Sequence, residues 1–342
     1  MTTSLTPTST QFDGLREMRV LITARSFGRN HPPHLDYLRE LGIDLVEYRE
    51  EGPMDAERLR ALVATVDGWV VSTAPVTPEI IAGAKRLKVV VKHGVGTDNI
   101  DLAAASKQGV MVANAPGSNH IPVAELAIGM MICLARRIHE AHASVVAGEW
   151  RRFLGSGIHG RTVGVIGVGR IGQAIAERVE VFGARVIGYD PFIDVELQRQ
   201  HTSIRWMTRL SDLLAESDII SLNVPLTEST EHLINAETLS LVKPGALLIN
   251  TARGKVVDER AMRNAILSGH IGGYATDVYE QEPPINSPLL GLDHVLFTPH
   301  IASYTTDAMK SLGDDVIRNL LDGLTGQTPP NLLNKPATRV VS

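Results

Sequence analysis

Three short polar clusters in the second half of the chain each follow an apolar run. They are Asn250-Thr251-Ala252-Arg253-Gly254, Asp277-Val278-Tyr279-Glu280-Gln281-Glu282-Pro283 and Thr298-Pro299-His300-Ile301-Ala302. Singly each is ordinary: an Arg after a strand is usually solvated, and a lone His is more often a structural hydrogen-bonder than a catalyst. Together they supply an anion clamp, a proton carrier and a carboxylate to tune it. Reversible hydride transfer on an anionic 2-oxo acid needs that set.

A glycine loop adds a phosphate site. Two stretches match G-x-G-x-x-G, a pattern that 30 glycines in 342 residues produce by chance about 0.2 times. The match at 155–160 precedes a strand pattern and reads as a flexible loop. The match Gly167-Val168-Gly169-Arg170-Ile171-Gly172 follows the strand pattern at 162–166 and opens a helix to about Phe182. Gly167 permits the tight turn, Gly169 lets backbone approach a pyrophosphate, and Gly172 allows close helix–strand packing. The N–H groups of Arg170 and Ile171 point at phosphate oxygens with the helix dipole behind them. Asp190 ends the next strand, where a carboxylate accepts from both ribose hydroxyls and repels a 2′-phosphate. This favours NAD over NADP.

The elements that must position these groups are legible in the hydrophobic pattern. Short β-branched runs at 18–23, 44–48, 68–73, 88–94 and 110–114 read as strands, with helices at 34–41, 56–65, 78–87 and 102–108 between them. Residues 1–16 read as a frayed arm, 115–121 as a turn-rich break, and 122–146 as one long helix with Pro122 and Glu125 suited to its first turn. Strands at 162–168, 185–190, 218–223, 246–252, 272–278 and 295–300 follow, then an amphipathic helix at about 306–324. Continuous apolar strands alternating with helices predict two doubly wound parallel-sheet α/β units.

Composition narrows the class. Apolar residues make 44% of the chain and charged residues 21%, which is ordinary globular usage. With 33 basic against 38 acidic residues the net charge is −5, which disfavours nucleic acid or an anionic membrane as the main ligand. Cys133 is the sole cysteine, so neither an intramolecular disulfide nor a multi-thiolate metal site is expected, and no metal site is assigned. Cys133 reads as a small core side chain. The first residues lack the basic-then-apolar order of a secretory signal, and the apolar run at 123–135 is too short to span a bilayer, so a cytoplasmic location is expected.

With these clusters, the stretches Lys92-His-Gly-Val-Gly-Thr-Asp-Asn-Ile-Asp101, Asn114-Ala-Pro-Gly-Ser-Asn-His-Ile-Pro-Val-Ala-Glu125 and Val224-Pro-Leu-Thr227 make the chain resemble the D-isomer-specific 2-hydroxyacid dehydrogenases from about Met18 to Pro336. The resemblance is nearest the phosphoglycerate dehydrogenase branch, through Tyr189-Asp-Pro-Phe192 and the stretch after Lys92. It implies a Rossmann NAD-binding domain (119–302) inserted into a flavodoxin-like substrate domain (1–118 plus 303–342), with 119–160 serving as crossover helix and dimer arm. His300 would be the general acid in reduction, and Glu282 would favour its protonated ring, with Glu280 a bystander. Arg253 would hold the substrate carboxylate, with the N–H groups of Val95 and Gly96 on its other side. Asp277 would accept from the nicotinamide carboxamide, and Val224, Pro225, Thr230, Thr251 and Ala252 would complete the cofactor contacts.

The implied partners are NAD, a small 2-hydroxy/2-oxo acid such as 3-phosphoglycerate, and a second copy of the chain. The stretch Val70-Val-Ser72-Thr-Ala-Pro75 departs from the branch, because it lacks the Arg that commonly suits phosphate binding there. Ser72 thus makes hydroxypyruvate or glyoxylate a competing substrate, and Lys92 is a candidate replacement cation. Asn223, where relatives often carry His, has no functional reading. An NAD-sensing interaction protein on the same scaffold, and formate or phosphonate oxidation, stand as alternatives. The short sequence after Pro336 predicts no appended regulatory domain.

Overall fold

The structure is a computed structural model that describes residues 13–29, 31–49, 54–116 and 119–337. Residues 1–12 of the expected arm, and 117–118 of the expected break, lie outside the described residues. The chain divides into two compact units, Met1–Asn119 with Thr305–Ser342, and His120–Tyr304.

The first unit alternates β1 (Arg19–Ile22), α1 (Pro33–Glu40), β2 (Asp44–Glu47), α2 (Ala56–Val63), β3 (Gly68–Val71), α3 (Pro78–Ile81), β4 (Val89–Lys92), α4 (Leu102–Lys107) and β5 (Met111–Ala113). Its five strands are parallel in the order β2-β1-β3-β4-β5. Both faces are covered, so the central strands β1, β3 and β4 are largely apolar and their side chains sort by alternation, while the edge strand β2 carries exposed Asp44 and Glu47. Val20, Ile22, Val70, Val89 and Val91 pack in one cluster with Leu35 and Leu38 of α1, and Leu21, Trp69, Val71 and Val90 in another with Leu59, Val63, Ile80 and Ile81. The expected helix at 78–87 is a single turn, and the chain leaves it through Ala82-Gly83.

The second unit opens with α5 (His120–Ala135) and α6 (Ile138–Val146). The single helix expected over 122–146 is therefore two. Arg137 adopts a left-handed φ of 53°, and its guanidinium grips Glu140, with Nε 2.8 Å from Oε1. The order continues β6 (Thr162–Ile166), α7 (Arg170–Val181), β7 (Arg185–Tyr189), α8 (Val195–Gln200), β8 (Ile204–Trp206), α9 (Leu210–Glu216), β9 (Ile219–Leu222), α10 (Ala236–Ser240), β10 (Leu247–Asn250), α11 (Glu259–Leu267), β11 (Gly273–Thr276) and β12 (Val295–Phe297).

The sheet is parallel in the order β12-β11-β10-β9-β6-β7-β8. Direction of winding reverses between β6 and β9, which makes the carboxyl ends of those strands the switch point where such sheets bind ligands. Val163, Val165, Ile219, Ile249 and Ala275 share a cluster with α5 and α7, while Ile166, Ile220, Leu222, Leu248 and Tyr274 share one with residues of α9, α10 and α11. Finally α12 (Thr306–Leu324) returns to the first unit and lies close on its sheet, where a Cβ on Gly323 would come within 2.6 Å of Val89.

Among the described residues no helix is long and apolar enough to cross a membrane, and no group of three or more His, Cys, Asp or Glu could hold a metal ion.

Candidate active site

The glycine loop sits at the switch point. Gly167 leaves β6 with φ +84°, and a Cβ there would lie 2.8 Å from the Asn223 carbonyl group, so the residue both turns the chain and admits the end of β9. Gly169 caps α7 in an extended conformation, and a Cβ on it would meet nothing within 4 Å. Gly172 packs so tightly that its Cβ would fall 2.2 Å from the Gly167 oxygen. The first N–H groups of α7, those of Arg170 and Ile171 among them, have no intrahelical acceptor, and the helix dipole makes them an anion site.

Asp190 ties this loop to the end of β7: Oδ2 accepts from Val168 N–H (2.9 Å) and Oδ1 from Phe192 N–H (3.0 Å). A carboxylate has about four acceptor positions, so ones for a ribose diol remain. The Thr230 hydroxyl donates to the Pro225 carbonyl (2.6 Å) and accepts from Thr227 N–H (2.8 Å), which fixes the turn carrying Val224 and Pro225. Asn223 turns its amide back onto Ser221. Thr251 Oγ1 is buried with no hydrogen-bond partner among the described residues. The open space before Gly169, the oriented Asp190 and this orphaned hydroxyl fit a dinucleotide.

The three polar clusters leave neighbouring strands at one level. Asn250 pairs in register with Thr276, and Thr276 with Phe297. Fully buried Asn250 shapes the first turn, accepting from Ala252 N–H (3.0 Å) and donating to the Arg253 carbonyl (3.0 Å). Arg253 is half-buried, with Nη1 donating to the Ala252 carbonyl (2.7 Å). A Cβ on Gly254 would lie 1.8 Å from the Tyr279 carbonyl carbon, so the Arg253 turn presses directly on the second cluster.

His300 Nδ1 lies 2.7 Å from Glu282 Oε2, a hydrogen-bonded pair whose side chains are 43% and 30% exposed. The carboxylate assigns the proton at Nδ1, leaving Nε2 for exchange with a substrate. Glu282 Oε1 accepts from Tyr279 N–H (3.3 Å). Glu280 points elsewhere: its carboxylate accepts from Glu259 N–H (3.0 Å) and lies 3.4 Å from His232.

His300 holds a left-handed φ of +54°, and Asp277 holds the turn around it. Oδ1 of Asp277 accepts from the Thr298 hydroxyl (2.6 Å) and Ile301 N–H (2.8 Å), and Oδ2 from Ala302 N–H (2.8 Å). Burial pushes the Asp277 carboxyl up, against the pull of those three donors. The resemblance aims this carboxylate at the nicotinamide; in the structure it is 0% exposed and three of its acceptor positions serve the His300 turn.

Sequence reasoning missed Asn250, Tyr279 and Thr298 as builders of the site. The signal for Asn250 was present, since an Asn closing a strand readily forms such a turn. The partners of Tyr279 and Thr298 are set only by strand pairing.

In the first unit, Ser72 follows β3, and its carbonyl accepts from Lys92 Nζ and from Asn99 Nδ2 (3.0 Å). Lys92 also donates to Asn99 Oδ1 (2.6 Å). Past β4, Asn114 fixes the Val95 carbonyl (2.8 Å) and Ala115 N–H the Gly94 carbonyl (3.0 Å). The N–H groups of Val95 and Gly96 take no acceptor among the described residues. Two clefts in the second unit, about 460 and 670 Å³, lie at the opposite, amino edge of its sheet, around Arg161, Asp218 and Lys243 and around Thr162, Arg185 and Glu216. They are away from the strand ends where open α/β sheets bind ligands.

Residues 128–302 match the D-isomer specific 2-hydroxyacid dehydrogenase, NAD binding domain. The chain is 40% identical over 309 residues to D-3-phosphoglycerate dehydrogenase of Methanocaldococcus jannaschii, covering 90% of this chain and 58% of that one. It thus spans little more than half the length of that relative. It is 41% identical over 287 residues to glyoxylate reductase of Thermococcus litoralis, covering 80% of this chain and 85% of that one. The crystal structure of the TT0316 protein from Thermus thermophilus superposes with a TM-score of 0.84 at 35% identity, over 92% of this chain and 100% of that one. By sequence and by fold, the chain belongs to the D-isomer specific 2-hydroxyacid dehydrogenases, with NAD as the cofactor of its second unit.

Proposed function

We propose that the protein is an NAD-dependent D-2-hydroxyacid dehydrogenase that interconverts 3-phospho-D-glycerate and 3-phosphohydroxypyruvate. The observation that carries the reading is the 2.7 Å His300–Glu282 pair on a strand end two strands from Arg253. When bound, the nicotinamide supplies or accepts the hydride at substrate C2. In reduction, His300 Nε2 gives its proton to the carbonyl oxygen as that oxygen becomes a hydroxyl, while Glu282 holds the ring in place through Nδ1. The Arg253 guanidinium binds the carboxylate and offers positive charge where the alkoxide develops. In oxidation the same nitrogen removes the hydroxyl proton.

Gly167, Gly169, Arg170, Ile171 and Gly172 would hold the pyrophosphate and Asp190 the adenosine ribose. Val224, Pro225 and Thr230 would line the adenine side, and Thr251, Ala252 and Asp277 the nicotinamide side. In the first unit, which we read as the substrate domain, Ser72, Val95 and Gly96 are the proposed contacts.

A second reading, reduction of hydroxypyruvate or glyoxylate, is favoured by one observation. Lys92, the candidate phosphate cation, spends two of its three donors on Ser72 and Asn99. The identity to a glyoxylate reductase supports the same reading. NADH oxidation against phosphohydroxypyruvate, hydroxypyruvate, glyoxylate, pyruvate and oxaloacetate decides: a kcat/KM preference for the first supports the main reading, and preference for an unphosphorylated acid overturns it. NADH binding without turnover on any of them would favour a sensor.

On the main reading the enzyme acts in serine biosynthesis in the cytoplasm, as a homodimer. The dimer proposal rests on the arm at 119–160, within which Val146 is 73%, Trp150 80% and Leu154 94% exposed. Light scattering at micromolar concentration giving the monomer mass would refute it.

A further inference from the structure

Tyr279 lies in the second polar cluster, yet the reaction as proposed gives it no part. It is 7% exposed, with its ring stacked at 6.3 Å on Phe297 of β12. Its hydroxyl donates to the Thr298 carbonyl at 2.8 Å, the same oxygen that accepts from His300 N–H at 3.1 Å. Its own N–H meets Glu282 Oε1, and its carbonyl carbon is the atom against which Gly254 presses. One residue therefore touches the segments that carry the proton carrier, its carboxylate and the anion clamp.

We propose that Tyr279 is a positioning residue for the His300–Glu282 pair. Its hydroxyl pins the turn at Thr298 while its N–H pins Glu282, so that Nδ1 and Oε2 stay in hydrogen-bond register. The inference rests on the dehydrogenase reading for its kinetic consequence, and on geometry alone for its structural one. A phenylalanine would fill the same space and keep the ring stack, so the hydroxyl is separable from the fold. Among the described residues the Thr298 carbonyl accepts from two donors, the Tyr279 hydroxyl and His300 N–H. Burial, reinforced by Asp277, Glu282 and Glu259, pushes the phenol up to about 12, so it remains a donor across the working pH range.

Tyr279→Phe tests this. Loss of one hydrogen bond predicts a fall in kcat of about three- to tenfold. KM for the 2-oxo acid, the Kd for NADH and the melting temperature should stay close to wild type, and the solvent deuterium isotope effect on kcat should rise. In the cofactor-free protein, amide exchange at residues 300–302 should accelerate by about the same factor while β10 and β11 keep their protection. Unchanged exchange with unchanged kcat and isotope effect would overturn the inference. So would a kcat loss matched by equal losses in NADH affinity and melting temperature, because that is a general packing defect. A wild type inactive on every 2-oxo acid would instead overturn the dehydrogenase reading, and the exchange at 300–302 would then decide the positioning role by itself.

Discussion

Asp277→Asn is the substitution that most sharply separates two roles for one carboxylate. The replacement keeps the shape, and its oxygen can still accept from the Thr298 hydroxyl and Ile301 N–H. Its amide nitrogen then faces Ala302 N–H, donor against donor, at a position where the carboxylate now accepts at 2.8 Å. Losing a hydrogen bond to a charged group costs about 1.5–3 kcal/mol, and a buried unpaired N–H about 1–3 kcal/mol, counted partly together. A total of about 2–4 kcal/mol exceeds the roughly 1–2 kcal/mol that a non-glycine residue needs to hold a left-handed conformation like that of His300. The turn should therefore relax, and at about 1.4 kcal/mol per decade kcat should fall about 10²-fold.

The assay pairs single-turnover NADH oxidation with NADH affinity from fluorescence. If Asp277 acts through the His300 turn, kcat falls and NADH Kd moves less than about threefold, well under one decade of binding free energy. If its main work is on the nicotinamide carboxamide, the Kd rises by a decade or more. A variant with wild-type kcat and wild-type NADH Kd would refute both.

Two further outcomes are expected. His93 is buried beside Ser26 and Phe27, and burial, helped by His34, Lys92 and Arg49, lowers its pKa from 6.5 to about 4. The unfolded chain then binds the extra proton between those values, so this stability is full above pH 6.5 and is lost as pH falls towards 4. The loss at pH 5 is about 2 kcal/mol, and His93→Gln should shrink the pH 7-to-5 drop in urea-unfolding stability by about that much; an identical drop would sink the argument. Asp190→Ala should weaken NADH by about tenfold or more and narrow its advantage over NADPH, since the lost bonds are to a charged group; an unchanged ratio would mean that the carboxylate does not read the ribose.

What the sequence revealed depended on how local the physics was. The glycine loop was readable because strand, turn and helix chemistry lie within a dozen residues, and the unbroken apolar run Val20-Leu21-Ile22 announced a sheet covered on both faces. The break at Arg137 was not readable. No Gly or Pro marks it, and the left-handed residue is stabilised by Glu140, which in turn lies 3.3 Å from His294 on the β11–β12 connection. The edge strand β8 is three residues long with an exposed Arg205 in its centre, too short for a pattern. The partners of Asp277 and Tyr279 belong to strand pairing across twenty residues, so only the residue types were visible, and the turn they build was not.

The central claim is that His300 moves the proton. The direct measurement is turnover of phosphohydroxypyruvate, or of whichever 2-oxo acid of the panel is preferred, by wild type and His300→Gln at saturating NADH. The expected result is a fall in kcat of about 10²–10⁴-fold with NADH affinity nearly intact. Near-normal turnover by the variant would contradict it and would take the proton carrier away from the Glu282-bonded imidazole.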